Sequence, residues 1–132
     1  MTAISPPHLR LARPSRDLDA AKRFYTQALD FQVLAEFADH DGFDGVMLGY
    51  PGWHWHLELT RRRSIPVDPR PTDEDLLVLY LPDGAAWHNA VRRCREFGAS
   101  PVASSNSWWD ERGITFEDTD GYRVVLEQRD WA

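Results

Sequence analysis

Cysteine is nearly absent from this chain, which has one among its 132 residues. No internal disulfide can form, and nothing in the cysteine usage points to an oxidising compartment. Cys94 falls at an apolar position of a predicted helix, so we interpret it as a packing residue rather than a nucleophile. The sequence therefore favours a cytoplasmic protein.

Long hydrophobic runs and an excess of positive charge are also missing. The N-terminus lacks the apolar stretch of a signal peptide, and no run is long enough to span a bilayer. The formal net charge is −6, which argues against nucleic acid as a partner. The arginine run at 61–63 precedes a proline-rich stretch, so a solvated connector is favoured over an anion site. We predict no membrane and no nucleic-acid partner.

The feature that the chain does have is an internal repeat. In each half, a strand leads through a proline and an aspartate into a helix, and short β-rich runs follow. Arg10 lies seven residues before Asp17, as Leu76 lies seven before Asp83. This spacing predicts an α+β fold in which two βαβββ modules form a curved mixed sheet around a central cleft, with the helices outside. We expect a single domain over 1–132, with module one at about 8–60, a linker at 61–74 and module two at about 75–128.

Local signals set the ends of the predicted elements. Asp17 is a good N-cap for the first helix, and Gly98 is a good C-cap for the second. Pro51-Gly52 suits the central positions of a type II turn. The strand at 76–81 is almost continuously apolar, which predicts burial on both faces. Strands are predicted near 8–13, 31–37, 43–50, 53–60, 76–81, 101–103, 113–117 and 122–127.

Three features of the chain together carry a family resemblance. They are the βαβββ–βαβββ order, the run DLDAA at 17–21 with Phe24-Tyr25 one turn later, and the run FEDTDGY at 116–122. In these features the chain resembles the vicinal oxygen chelate superfamily over roughly 8–128. That superfamily includes glyoxalase I, extradiol dioxygenases, fosfomycin-resistance enzymes and bleomycin-resistance proteins. The resemblance implies a small-molecule ligand and a homodimer.

The resemblance also implies which positions would hold a metal ion. Metal-dependent members place up to four ligands at equivalent strand positions, two in each module. The matching residues here are Arg10, Glu58 of the run LELT at 57–60, Leu76 and Val125. Arginine cannot coordinate a divalent cation under ordinary conditions, and leucine and valine have no donor atom. We therefore expect no metal and no cofactor.

Alternation along the fourth strand places His54 and His56 on the face of Glu58. His-x-His-x-Glu is a metal-ligand pattern, but we favour a hydrogen-bonded polar row, because residues four apart on a strand lie about 13 Å apart. Glu127 is the candidate third ligand if His56 and Glu58 did share an ion. Arg10 is the natural partner of Glu58, either as a structural ion pair or as a cation that binds an anionic ligand.

Tryptophan is abundant, with six residues. Trp108 and Trp109 follow a polar loop, where large aromatic side chains often close the mouth of a pocket. Ligand stacking and packing at a rim or dimer contact are equally compatible with this position. The candidate ligand-binding residues are thus Arg10, His54, His56, Glu58, Trp108, Trp109 and Glu127.

Together these observations favour a binding protein with a metal-free cleft for a compact polar or aromatic molecule. One alternative is a metal-dependent lyase, isomerase or glyoxalase-like enzyme in which Glu58 is a ligand or the general base. Another is a metal-free enzyme in which Arg10 stabilises an anion and Glu58 or His56 is the base. The sequence does not select a substrate.

Overall fold

Two four-stranded mixed sheets, one from each half of the chain, form the computed structural model, which describes residues 4–132. The strands are β1 (Leu9–Pro14), β2 (Gln32–His40), β3 (Phe43–Gly49), β4 (Trp55–Arg62), β5 (Leu76–Tyr80), β6 (Pro101–Val102), β7 (Gly113–Glu117) and β8 (Arg123–Glu127). The helices are α1 (Leu18–Arg23), which continues as a π-helical segment (Phe24–Ala28), α2 (Gly84–Phe97) and α3 (Trp108–Glu111). Within the described residues, no helix is both long and apolar enough to cross a membrane.

The strand order is the same in both halves, as the internal repeat predicts. It is β1-β4-β3-β2 in the first sheet and β5-β8-β7-β6 in the second. In each sheet the first and last strands of the half run parallel, and the other neighbours run antiparallel. The predicted α+β fold with two βαβββ modules is confirmed. Within residues 4–132 no strand ladder joins the two sheets, so β1, β2, β5 and β6 are outer strands.

The helix ends lie where the capping residues predict. The carboxylate of Asp17 accepts a hydrogen bond from Ala20 N at 3.1 Å, and that of Asp83 accepts one from Ala86 N at 2.9 Å. Gly98 has a φ of 100°, a left-handed conformation that glycine adopts without strain, and it ends α2. These short-range hydrogen bonds explain why local sequence suffices to place the helices.

The helices and the inner faces of the two sheets enclose the apolar core. Cys94 on α2 is fully buried, and its Sγ lies 3.6 Å from the carbonyl oxygen of Ala28, at the contact between α2 and the π-helical segment. Burial raises the pKa of the Cys94 thiol to about 11. A buried thiol that stays protonated is a poor nucleophile, so the prediction of a packing residue is confirmed.

The two sequence motifs meet at a buried polar contact between the halves. The Tyr25 hydroxyl, from the Phe24-Tyr25 pair, donates to Asp118 Oδ2 at 2.6 Å. The Ser15 hydroxyl donates to Asp120 Oδ2, also at 2.6 Å. Burial raises the pKa of Tyr25 well above its ordinary value and also raises the pKa of Asp118. The motifs therefore connect one half of the chain to the other.

Three local predictions are wrong. Gly52 does not have a positive φ, so the turn closed by Trp53 N donating to Tyr50 O at 3.1 Å is not of type II. β2 continues to His40 instead of ending at 37. β5 is only partly buried, because its outer edge has no partner strand and both of its faces are partly accessible.

The arginine run at 61–63 extends β4 and begins the connector between the halves. All three side chains are exposed, as predicted. Arg63 Nη2 lies 2.7 Å from Asp44 Oδ1, and Arg63 Nη1 lies 3.5 Å from Asp39 Oδ2. These carboxylates neutralise Arg63 locally, which favours the connector over an anion site.

Candidate functional site

Strand pairing places Arg10, His56 and Glu58 on one face of the first sheet. β1 runs parallel to β4 in the register that puts Arg10 opposite His56. Leu57 and Leu59 alternate with these polar residues, point to the other side and are buried in the core. The polar side chains are thus left on the face that the helices do not cover.

Arg10 is the centre of this arrangement. Its Nε donates to His56 Nε2 at 2.8 Å, its Nη1 lies 3.3 Å from Glu58 Oε2, and its Nη2 lies 4.0 Å from the Met47 sulfur. The Arg10 side chain is 48% exposed and that of Glu58 is 12% exposed. Water screens such a pair, so it stabilises the fold by only about 0–1 kcal/mol. We call the group His8, Arg10, Met47, His56 and Glu58 the arginine face.

His8 belongs to this face although the sequence analysis did not select it. A guanidinium only donates, so His56 Nε2 must accept, and the ring proton must lie on His56 Nδ1. That proton is donated to His8 Nε2 at 2.6 Å. His8 immediately precedes β1 and lies two residues before Arg10, and this alternation with Arg10 was the sequence signal for it. Both nitrogens of His56 are therefore engaged.

The pKa of His56 lies below its ordinary value of 6.5, because burial, Arg10 and His8 all disfavour the protonated ring. We expect an NMR titration to give a His56 midpoint below 6.5. The unfolded chain then binds the proton more readily, so this group lowers stability as the pH falls below about 6.5 and has no effect well above it. Arg10→Met should raise the midpoint, whereas Arg70→Met, at an exposed site, should not. A midpoint of 6.5 or higher in the wild type would contradict this assignment.

The residues present do not fit a divalent metal ion. The cationic guanidinium of Arg10 lies against Glu58, the one carboxylate at the four equivalent positions. Among the residues that the structure describes, no three His, Cys, Asp or Glu side chains lie close enough to share an ion. His54 precedes β4 and is exposed, and its backbone carbonyl, not its ring, accepts a bond from Leu9 N at 2.8 Å.

Glu127 and Trp108 form a second polar cluster in the other half. Arg129 Nε lies 2.7 Å from Glu127 Oε1, at an angle that makes an ion pair without an aligned hydrogen bond. Arg129 also stacks at 4.0 Å over the Trp108 ring. Glu127 is fully buried; burial raises its pKa and Arg129 partly offsets the rise. Trp109 is half-buried on α3. Within residues 4–132 no hydrogen bond or ion pair joins this cluster to the arginine face.

Comparisons with known proteins agree with this architecture. The YycE-like N-terminal domain model matches residues 9–60, and the YycE-like C-terminal domain model matches residues 74–128. The uncharacterized protein YycE of Bacillus subtilis is 38% identical over 125 residues, which cover 95% of this chain and 90% of that protein. Its crystal structure, of a protein of unknown function, has a TM-score of 0.87 at 36% identity, covering 93% of this chain and 90% of YycE.

More distant structures share the same fold. The antibiotic-binding protein TnmS3 from Streptomyces sp. CB03234 is 26% identical with a TM-score of 0.65, and the match covers 96% of this chain and 98% of TnmS3. Glyoxalase I from Leishmania major has a TM-score of 0.72 at 22% identity, over 95% of this chain and 88% of that one, a likeness of fold alone. The fold and motifs define a protein of the vicinal oxygen chelate superfamily. Within it, the chain belongs to the YycE-like family.

Proposed function

We propose that this protein binds a small molecule that carries an anionic or strongly polar oxygen group, and that it does so on the arginine face without a metal ion. The observation that carries the proposal is the contact of Arg10 with both Glu58 and His56. Arg10 stands where metal-dependent members of the superfamily place a ligand. Its guanidinium thus puts a fixed positive charge beside the one remaining carboxylate, as the metal would in those members.

The exposure of the arginine face suits a ligand. About half of the Arg10 side chain is open to solvent, so its outer N–H groups can donate to a carboxylate, phosphate or enolate while Glu58 and His56 hold the inner side. The Glu58 side chain is only 12% exposed, and Arg10 contacts its Oε2 atom. The other carboxylate oxygen, Oε1, is left to accept a hydrogen bond from a ligand hydroxyl or amine. The antibiotic-binding activity named for TnmS3 supports binding as a function of this fold.

The wider predicted site stays part of the proposal. In it, the exposed His54 extends the polar row, and Trp108 and Trp109 line a second wall on which an aromatic part of the ligand stacks, while the buried Glu127 holds Arg129 beneath that wall. The stacked Arg129 and Trp108 pair gives that wall a flat cationic surface.

We place the protein in the cytoplasm, in keeping with its single reduced cysteine.

Metal content tests the proposal directly. Protein purified without a chelator should carry well under one divalent ion per chain by elemental analysis, because three of the four ligand positions lack a metal-binding side chain. Stoichiometric zinc, nickel, manganese or iron would contradict the proposal that the protein binds its ligand without a metal ion. It would favour the lyase, isomerase or glyoxalase-like alternative, with Glu58 as a ligand or the general base.

Ligand screening tests the role of Arg10. Carboxylates, phosphonates and aromatic antibiotics that stabilise the wild type in thermal unfolding should lose about tenfold or more in affinity in Arg10→Met, since a hydrogen bond to a charged group contributes about 1.5–3 kcal/mol. The matched variant Arg70→Met, at an exposed site, should bind as the wild type does. Equal loss in both variants would mean that only net charge matters.

A metal-free catalytic function is a second candidate, favoured by the free oxygen of Glu58. In it Arg10 stabilises a developing enolate and Glu58 takes the proton. His56 is the weaker base, because its two ring nitrogens already bind Arg10 and His8. Exchange of a ligand's acidic C–H for deuterium, present in the wild type and lost in Glu58→Gln, would identify this activity.

We also propose a homodimer. The outer strands β1, β2, β5 and β6 leave backbone groups unpaired at four sheet edges, and Trp131 is 80% exposed. Sedimentation equilibrium at micromolar concentration should give a mass near twice the 15.2 kDa of one chain. A mass near 15.2 kDa would contradict the dimer.

A further inference from the structure

A cavity lies on the side of the sheets opposite to the arginine face. It has a volume of about 430 Å³, which is within the range of small-molecule sites. Leu9 and Leu11 of β1 line one side, and Leu77 and Leu79 of β5 line another. Because Leu9 and Leu11 alternate with Arg10 along β1, they point away from the arginine face. We call this space the leucine cavity.

Aromatic rings give the leucine cavity a flat wall. Trp53 and Trp55 both line it, and their rings stack with centroids 4.9 Å apart and an angle of 13° between their planes. Tyr50 and Phe31 also line it and meet Trp53 edge-on, at 4.7 Å and 5.3 Å. Such a wall favours a planar or extended apolar group over a hydrated one.

Among the described residues, the one charged side chain that lines the leucine cavity is that of Arg93 on α2. Its Nε is buried and has no hydrogen-bond acceptor among residues 4–132, and no ion pair forms between Arg93 and any described carboxylate. Arg92, its neighbour on the helix, instead lies 3.7 Å from Glu96 at the surface. A partly desolvated cation without an anion costs free energy that a bound anion would recover.

Neither Tyr50 nor Asp30 pairs directly with the Arg93 guanidinium among the described residues. Tyr50 and Arg93 line the same cavity; burial raises the pKa of Tyr50, the Asp30 carboxylate raises it further, and Arg93 partly offsets the rise. Asp30, two residues after the π-helical segment, has a φ of 61°, and among residues 4–132 neither it nor any other residue supplies an acceptor to Arg93 Nε. The cavity therefore combines apolar walls with a single positive charge at its edge.

We propose that the leucine cavity binds a small aromatic or aliphatic carboxylate. The carboxylate lies on the Arg93 guanidinium, and the apolar part lies on Trp53, Trp55 and the leucines of β1 and β5. This site is separate from the arginine face, because β1 and β4 present different side chains to the two spaces. Its ligand is a hydrophobic anion, whereas the arginine face presents mainly charged and polar side chains, those of His8, Arg10, His56 and Glu58.

Calorimetric titration of the full chain with 2-naphthoate and with its uncharged analogue 2-naphthylmethanol tests this proposal. The wild type should bind 2-naphthoate more tightly. Arg93→Met should weaken 2-naphthoate by about tenfold or more and leave 2-naphthylmethanol nearly unchanged, since a charged hydrogen bond is lost. Arg95→Met, an exposed charge change on the same helix, should alter neither ligand. Arg10→Met should also alter neither, which separates this result from the test of the arginine face.

A second variant locates the ligand. Leu11 is 40% exposed and lines the leucine cavity, so Leu11→Trp should fill the space, abolish binding of both compounds and still fold, as circular dichroism would show. Unchanged binding by Leu11→Trp, or equal loss of both compounds in Arg93→Met, would overturn the proposal. Absence of saturable 2-naphthoate binding by the wild type would also overturn it.

Discussion

Replacing Asp118 with alanine should lower the free energy of unfolding by about 3 kcal/mol or more. The buried carboxylate accepts from the Tyr25 hydroxyl at 2.6 Å and from the backbone N–H groups of Asp120 and Tyr122 at 2.8 and 2.9 Å. Alanine leaves three donors without an acceptor, and one of them comes from the other half of the chain. Urea unfolding followed by tryptophan fluorescence measures the loss.

Asp118→Asn is the conservative partner of this variant. Its amide oxygen can still accept from the backbone, so it should cost clearly less than Asp118→Ala at neutral pH. Comparison of the wild type with Asp118→Asn also isolates the effect of protonating the Asp118 carboxyl group, because asparagine does not titrate. The folded-state pKa of Asp118 is raised above its ordinary 3.8 by burial, so its protonated form adds stability that is complete below 3.8 and is lost as the pH rises through the folded value. Acidification should therefore stabilise the wild type relative to Asp118→Asn; the opposite trend would show that hydrogen bonding outweighs burial.

Gly113→Ala should destabilise the protein by about 3 kcal/mol or more, through backbone crowding. A methyl group at Gly113 would come within 2.6 Å of the Trp109 carbonyl oxygen and 2.9 Å of the Leu126 carbonyl oxygen, and it would also overlap the Glu127 carboxylate. Backbone atoms of α3 and β8 cannot move aside as a flexible side chain does. The close approach of α3 to β8 requires glycine at this position.

Gly52→Ala is the matched control for Gly113→Ala. Gly52 has open space around the added methyl group and no positive φ, so the change should alter the unfolding free energy by no more than about 0.5 kcal/mol. Thermal unfolding of both variants alongside the wild type gives the comparison. Equal losses in the two variants would mean that glycine flexibility, and not the packing of α3 over Glu127, sets the cost.

The repeat and the caps could be predicted because their causes are local. Asp17, Asp83 and Gly98 satisfy backbone groups within one helical turn, and the alternation of β4 separates Leu57 from Glu58 on any sheet. The turn at Gly52 was predicted wrongly, because its backbone conformation follows from the pairing of β3 with β4 rather than from the dipeptide.

The sequence by itself determined the α+β repeat, since period and spacing are properties of the chain alone. It also placed Arg10 and Glu58 at two of the four strand positions where metal-dependent members of the superfamily have ligands. Only the tertiary structure decided which side chains meet across strands. It brought His8 into contact with His56 and left Arg10 half-exposed beside the mostly buried Glu58. It also buried Glu127 and placed Arg93 at the leucine cavity. Burial and cross-strand distance depend on the packing of residues far apart in sequence, and these two quantities control charge, pKa and binding.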